Sequence, residues 1–156
     1  METTGIAGEL TQHRFFEQLP EELTTELADC AANVVFEPGA ELFTEGQDAK
    51  SFYAIRSGRV SVGVHVPNKG LVVIETLQSG DILGWSWMLP PYRWHFDAVA
   101  LEQVRAVELH SECILAYLNE NPAAGYRLMT AVAQIMEERL ESARIRLVDL
   151  FGRSDG

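Results

Sequence analysis

The sequence predicts a mainly β domain, an antiparallel sandwich or barrel, with helices before and after it. Three observations predict this. Short β-rich runs recur through residues 33–110 at a spacing of roughly 8–12 residues, each bounded by turn signals. A short zone of helical apolar spacing precedes them, and a long helical stripe follows. The 156 residues, nearly half of them apolar, suffice for one domain with its own core.

In residues 1–32, Leu10, Phe15, Phe16 and Leu19 precede an interruption at Pro20. Pro20-Glu21-Glu22 suits a helix start, because a proline there removes only an N–H that the first turn leaves free, and acids complement the helix dipole. Leu23, Leu27 and Ala31 then repeat every fourth residue, so two short helices are expected to pack on the barrel.

The strand candidates are Val34-Val35-Phe36, Glu41-Leu42-Phe43, Phe52-Tyr53-Ala54-Ile55, Val60-Ser61-Val62-Gly63-Val64, Leu71-Val72-Val73-Ile74, Ala98-Val99-Ala100-Leu101 and Val104-Arg105-Ala106-Val107. Val60, Val62, Val64 and Val66 alternate with Ser61, Gly63 and His65, the period of a half-buried strand. Pro38-Gly39, Gly46, Ser57-Gly58, Pro67-Asn68-Lys69-Gly70 and Ser79-Gly80 punctuate them.

Residues 111–156 read as helical. Ser111 is a candidate cap for a helix through Leu118, and Asn121-Pro122 places Asn at a cap and Pro at a first helical position. Met129, Val132, Met136, Leu140, Ala143, Leu147 and Leu150 then form a stripe at three-to-four-residue spacing, with no Gly or Pro between Tyr126 and Phe151. So long a stripe exceeds what a small barrel covers, and a partner helix is expected on it.

Acids outnumber bases 23 to 12, for a net charge of −11. That balance repels nucleic acid, and no basic stripe offsets it. Arg139, Arg144 and Arg146 interleave with Glu137, Glu138 and Glu141, which reads as a solvated, ion-paired helix face. No stretch has the roughly 18 apolar residues of a membrane helix, and residues 1–8 lack the pattern of a signal peptide. Cys30 and Cys113 are too few for a disulfide framework and are expected as buried free thiols, in a cytoplasmic protein.

The stretch that carries the functional reading is 80–97. All three tryptophans, Trp85, Trp87 and Trp94, fall in it, together with Pro90-Pro91, Tyr92, Arg93, His95 and Asp97. Two prolines and Gly84 break its backbone, so it is a loop that plugs a core or lines a pocket.

Several runs resemble the cyclic-nucleotide-binding domain of the catabolite activator protein family. Residues 38–62, from Pro38-Gly39-Ala40-Glu41-Leu42-Phe43 through Phe52-Tyr53-Ala54-Ile55 to Ser57-Gly58-Arg59-Val60-Ser61-Val62, look like that family's first barrel hairpins. Leu77-Gln78-Ser79-Gly80-Asp81 followed by Leu83-Gly84 looks like the entry to its phosphate-binding cassette, and Asn121-Pro122 with the long stripe looks like its dimerisation helix. The resemblance spans about residues 10–150 and implies a jelly-roll β-barrel with N-terminal helices and a long C-terminal dimerisation helix. Many members continue into a DNA-binding winged helix-turn-helix. This chain stops at Gly156, so it is expected to be either a stand-alone sensor module, the favoured reading, or a fragment of a longer protein, and by itself it is not expected to bind DNA.

The cassette departs from the family pattern. Nucleotide-binding members follow the glycine with a Glu that accepts the ribose 2′-hydroxyl; here Trp85 follows Gly84, and an indole only donates. Counting back from Ala100-Leu101-Glu102, Trp94 falls at the family's phosphate-binding Arg, and Arg93 is one residue early. In extended chain that shift turns a side chain to the opposite face. Losing a buried Arg–phosphate pair costs roughly 3–5 kcal/mol, or about two to four decades of affinity. If 93–97 is extended, Arg93, His95 and Asp97 share one face and Trp94 and Phe96 the other.

Three readings follow for the loop. It is a structural ion pair with an aromatic plug; or a pocket rebuilt from Trp85, Ser86, Trp87, Tyr92 and Arg93 for a flat or apolar anion; or an ordinary cyclic AMP or cyclic GMP site using Arg93. The candidate ligand residues are Gly84, Trp85, Ser86, Trp87, Tyr92, Arg93, His95 and Asp97, and the candidate dimer interface is Met129, Val132, Met136, Leu140, Ala143 and Leu147.

Catalysis is not expected. Gly84-Trp85-Ser86-Trp87-Met88 begins like a nucleophile elbow, but Met88 stands where the closing Gly belongs. His13, His65, His95 and His110 have no metal-ligand spacing with one another or with cysteine, and His95 with Asp97 is a common strand pair. The expected protein is a non-enzymatic, homodimeric sensor module with an altered phosphate cassette, whose ligand is a cyclic nucleotide or another small anionic or aromatic molecule. The alternatives are a true cyclic AMP or GMP receptor acting on a separate partner, and a ligand-free dimeric scaffold.

Overall fold

Two four-stranded antiparallel sheets, ordered β1-β8-β3-β6 and β2-β7-β4-β5, form the body of the protein. The structure, a computed structural model, describes residues 6–154. The first five residues of the expected N-terminal segment and the last two of the C-terminal one lie outside the described residues.

Three helices come first: α1 (Ile6–Thr11), α2 (Arg14–Glu17) and α3 (Glu21–Ala28). Two were expected; the additional break is at His13, whose side chain accepts from the Phe15 N–H and starts a new turn. Leu10, Phe15, Phe16, Leu23 and Leu27 are buried, so these helices seal one end of the core.

The strands are β1 (Ala31–Phe36), β2 (Glu41–Phe43), β3 (Ser51–Ser57), β4 (Val60–Val66), β5 (Gly70–Leu77), β6 (Ile82–Leu83), β7 (Asp97–Ala100) and β8 (Val104–His110). Each of the seven β-rich runs is a strand. The eighth strand, β6, is only two residues long and pairs with β3 through Tyr53↔Leu83 and Ala54↔Ile82, too short to leave a period in the sequence. The order in which distant strands neighbour one another is that of a jelly roll. Val60, Val62, Ala98, Ala100, Val104 and Ala106 fill the space between the sheets.

The chain then turns into α4 (Ser111–Glu120) and α5 (Pro122–Ser154). Ser111 is the first helical residue rather than the cap: His110 holds the cap position, and the Ser111 N–H donates to the Lys50 carbonyl. Pro122 opens α5 as its missing N–H allows. The Asn121 side chain turns back and donates to the Tyr117 carbonyl, closing α4.

The free-thiol expectation is overturned. Cys30 and Cys113 are joined in a disulfide, with their Cα atoms 5.5 Å apart although they are 83 positions apart in sequence. Cys30 follows the Asp29 that caps α3 and Cys113 lies in the first turn of α4, so the fold juxtaposes two residues that share no local signal. Among the described residues, no helix is long and apolar enough to cross a membrane.

Candidate functional site

Strand β6 delivers Gly84 to the mouth of the space between the sheets. Its φ is +97°, a conformation that side chains with a Cβ rarely adopt. A single 3₁₀ turn, Ser86–Met88, follows. Trp87 is buried there and stacks on Phe52, with ring centroids 5.1 Å apart. The loop next passes through a cis Pro90–Pro91 bond and Tyr92, whose φ is +61°.

Trp94 decides the character of the site. Its backbone is pinned from both sides: its N–H donates to the Gln47 carbonyl, and its carbonyl accepts from the Gly46 N–H. The indole is buried and lies flat on Phe43, centroids 3.7 Å apart and planes 8° apart. A Cβ on Gly84 would sit 2.6 Å from two atoms of the same indole. The space beneath the Gly84 backbone is therefore filled by this chain's own ring.

Arg93 points the other way. Its guanidinium donates to the Gly46 carbonyl at 3.0 Å and lies 3.6 Å from Asp48, with more than half of the side chain exposed. The face shared by Arg93, His95 and Asp97 does not form. Regular strand begins only at Asp97, so alternation does not carry through the bend at His95 and Phe96. Asp97 is buried, accepts from the Glu45 N–H at 2.7 Å and lies 3.0 Å from His65 Nδ1. Its partner is thus His65, and neither Arg93 nor His95 pairs with it.

The eight candidate ligand residues accordingly divide. Gly84, Ser86, Trp87 and Asp97 are buried, and Trp85 is half-buried. Tyr92, Arg93 and His95 are exposed on the far side of the loop. Met129 and Met136 pack partly against the core and Val132 is inside it, whereas Leu140, Ala143 and Leu147 are exposed.

The sequence places Arg139 on a solvated helix face, whereas the fold buries it. Its side chain is only 17% exposed. The guanidinium crosses from α5 to donate to the Ile82 carbonyl, lies 3.9 Å from Glu75, and stands 4.9 Å over the Trp85 ring. Burial lowers its pKa, and Glu75 opposes that shift. Arg146 likewise reaches the Ile74 carbonyl at 2.6 Å, leaving Arg144 with Glu141 as the helix-surface pair of the expected kind. A sequence signal for Arg139 existed: it follows Met136 by three and Val132 by seven, on the inward stripe. A cleft of about 670 Å³ lies beside it, between α2, the end of β5 and α5, and none of the eight candidate residues lines it.

The profile of the cyclic nucleotide-binding domain matches residues 33–121, more than half of the chain. The chain belongs to the cyclic nucleotide-binding domain family. A CRP-like cAMP-activated global transcriptional regulator of Mycobacterium tuberculosis is 25% identical over 118 residues, which are 76% of this chain and 51% of the regulator. The chain thus spans about half the length of that relative. Glutaminase 1 of Bradyrhizobium diazoefficiens is 27% identical over 139 residues, 89% of this chain but 22% of the enzyme. The crystal structure of a Geobacter metallireducens protein proposed to bind cyclic nucleotides superposes with a TM-score of 0.77 at 25% identity, covering 90% of this chain and 99% of that one. In this cyclic nucleotide-binding domain, the loop between β6 and β7 is the stretch whose sequence resembles the cassette, and Trp94 lies under its glycine.

Proposed function

We propose that this cyclic nucleotide-binding domain is a non-enzymatic regulatory module whose cassette has lost the usual grip on a cyclic phosphate and ribose. The observation that carries the reading is the Trp94 indole packed beneath Gly84. A group pressed against the Gly84 backbone on that face meets the ring. Trp85 offers no acceptor for a ribose hydroxyl, and Arg93 is engaged on the outer side of the loop. Trp87 and Trp94 are already stacked on Phe52 and Phe43, so Trp85, half-buried, is the indole left for a flat or apolar anion. The module acts as a homodimer through the exposed half of α5, in the cytoplasm, and its acidity disfavours DNA as a direct partner.

Family membership and the cAMP-activated mycobacterial relative favour a second reading, a true cyclic AMP or GMP receptor. That reading requires Trp94 to leave its stack and Arg93 to turn inward. Calorimetric titration of the protein with cyclic AMP and cyclic GMP separates the two. The altered cassette predicts no heat of binding at ligand concentrations up to 1 mM, about −4 kcal/mol of affinity. Micromolar binding that Arg93→Ala abolishes would establish the receptor instead.

A further inference from the structure

The disulfide adds a covalent tie between the start of β1 and the first turn of α4, beside the bond from the His110 N–H to the Cys30 carbonyl. Cys30 is 5% exposed, at the junction of α3 and β1, whereas Cys113 is exposed in the first turn of α4. These are the two cysteines of the chain, so neither has a competing partner within it. Helix α4 leads through Asn121 directly into α5.

We propose that Cys30–Cys113 is a thiol–disulfide exchange site, with a dithiol as its reaction partner, and that its oxidation state sets how firmly α4 is held to the N-terminal helices. Two features favour exchange over a permanently closed staple. The sulfur-bearing residue on α4 is accessible to an incoming thiolate, and a helix's first turn stabilises the thiolate that Cys113 becomes. The reductant's thiolate attacks Sγ of Cys113, the Sγ–Sγ bond breaks, and Cys30 leaves as a thiolate that takes a proton from solvent. The reductant's second thiol then attacks its own sulfur in the mixed disulfide and frees Cys113. Two electrons and two protons pass from the dithiol, which leaves as a disulfide, to the protein.

Reduction does not unmake α4, because Ile114 and Leu118 stay buried against the core and the Ser111 N–H still reaches the Lys50 carbonyl. It releases the first turn from the start of β1. The start of α4 is then held by the His110 and Ser111 backbone bonds and by the packing of Ile114 and Leu118, without a covalent tie, and redox state reaches α5 through it.

The test uses the native, full chain with dithiothreitol, and then oxidised dithiothreitol. Iodoacetamide labelling followed by mass spectrometry should find two thiols after reduction without denaturant, and none after reoxidation. Amide exchange in α4 and the first turns of α5 should accelerate at least tenfold on reduction, and α4 should then exchange ahead of β3 and β8, which follow global stability. The melting midpoint should fall by roughly 10–15 °C on reduction, as for loss of a cross-link closing a long loop. Cys113→Ser should match the reduced protein and ignore the redox buffer. A bond that opens only in denaturant would overturn the proposal, as would reduction that leaves α4 exchange unchanged. So would thiols that oxidised dithiothreitol fails to join. If Cys113→Ser does not fold, reduction of the native protein still decides.

Discussion

The Trp94 indole occupies the position that would contact a side chain on Gly84, and its stack on Phe43 prevents it from yielding. Gly84→Ala therefore combines a backbone conformation hostile to a Cβ with a clash against a buried ring. The expected loss is about 2–5 kcal/mol, from strain and overpacking together. In a Trp94→Leu background the clash disappears and only the strain remains, so the same substitution should cost about 1–3 kcal/mol. Urea unfolding of the four proteins measures the coupling. Equal costs in the two backgrounds would mean that the ring does not fill the cassette.

Arg139→Met keeps the aliphatic stem but removes the guanidinium that ties α5 to the Ile82 carbonyl and covers Trp85. The expected destabilisation is about 1–3 kcal/mol, with a shift in Trp85 fluorescence. Arg139→Lys should recover little, because a point charge cannot both reach the carbonyl and lie flat over the ring. Near-complete recovery by Lys, read in the same unfolding experiment, would reduce the contact to simple charge.

His13 links stability to pH. Nδ1 accepts from the Phe15 N–H, so Nε2 carries the proton and faces the Ile55 carbonyl at 3.2 Å. Burial lowers its pKa below 6.5; the Ile55 and Asp81 backbone bonds and the Asp81 charge oppose this, and the Arg14 charge adds to it. The unfolded chain thus takes up the proton first as the pH falls. The contribution of neutral His13 is whole above about pH 6.5 and declines below it, by up to about 1.4 kcal/mol per pH unit, until the folded protein also protonates. Between pH 7.5 and 5.5 the wild type should lose more stability than His13→Gln, measured as the difference in urea midpoints at each pH. Parallel profiles would show that His13 titrates alike in both states.

Most of the fold was legible because its signals are local. The strands announce themselves through period and bounding turns, and Pro122 marks the start of α5 wherever the rest of the chain goes. The candidate site was legible only as a stretch. Whether Trp94 or Arg93 faces inward depends on where regular strand begins, and Asp97 is the first strand residue. His65, the partner of Asp97, comes from β4, and Arg139 comes from α5. Contacts of that range are set by sheet order and helix direction, which no window of sequence contains. The disulfide is the extreme case, since its halves belong to elements on opposite sides of the β region in sequence.

The long helix carries two different surfaces along one stripe, and they should respond differently to charge. Leu128, Ala131 and Val132 are buried in this chain's own core. Beyond Arg139 the apolar residues turn exposed, although Arg146 still reaches β5: Leu147 is 55% exposed, Val148 70% and Phe151 66%. The reason is length, because the helix of 33 residues extends about 50 Å at 1.5 Å per residue, further than a small jelly roll reaches. A carboxylate at Leu147 should therefore cost the isolated chain less than about 0.5 kcal/mol, as an exposed substitution does. If α5 pairs with its copy, the same carboxylate is buried against apolar side chains and should weaken the dimer at least a hundredfold, about 2.7 kcal/mol. Val132→Glu should instead unfold the monomer, since its carboxylate enters a packed core. Light scattering across a concentration series, paired with thermal melts, distinguishes the two. A wild type that stays monomeric at high micromolar concentration would refute the pairing of α5, and a Leu147→Glu protein that melts like Val132→Glu would refute the division of the helix.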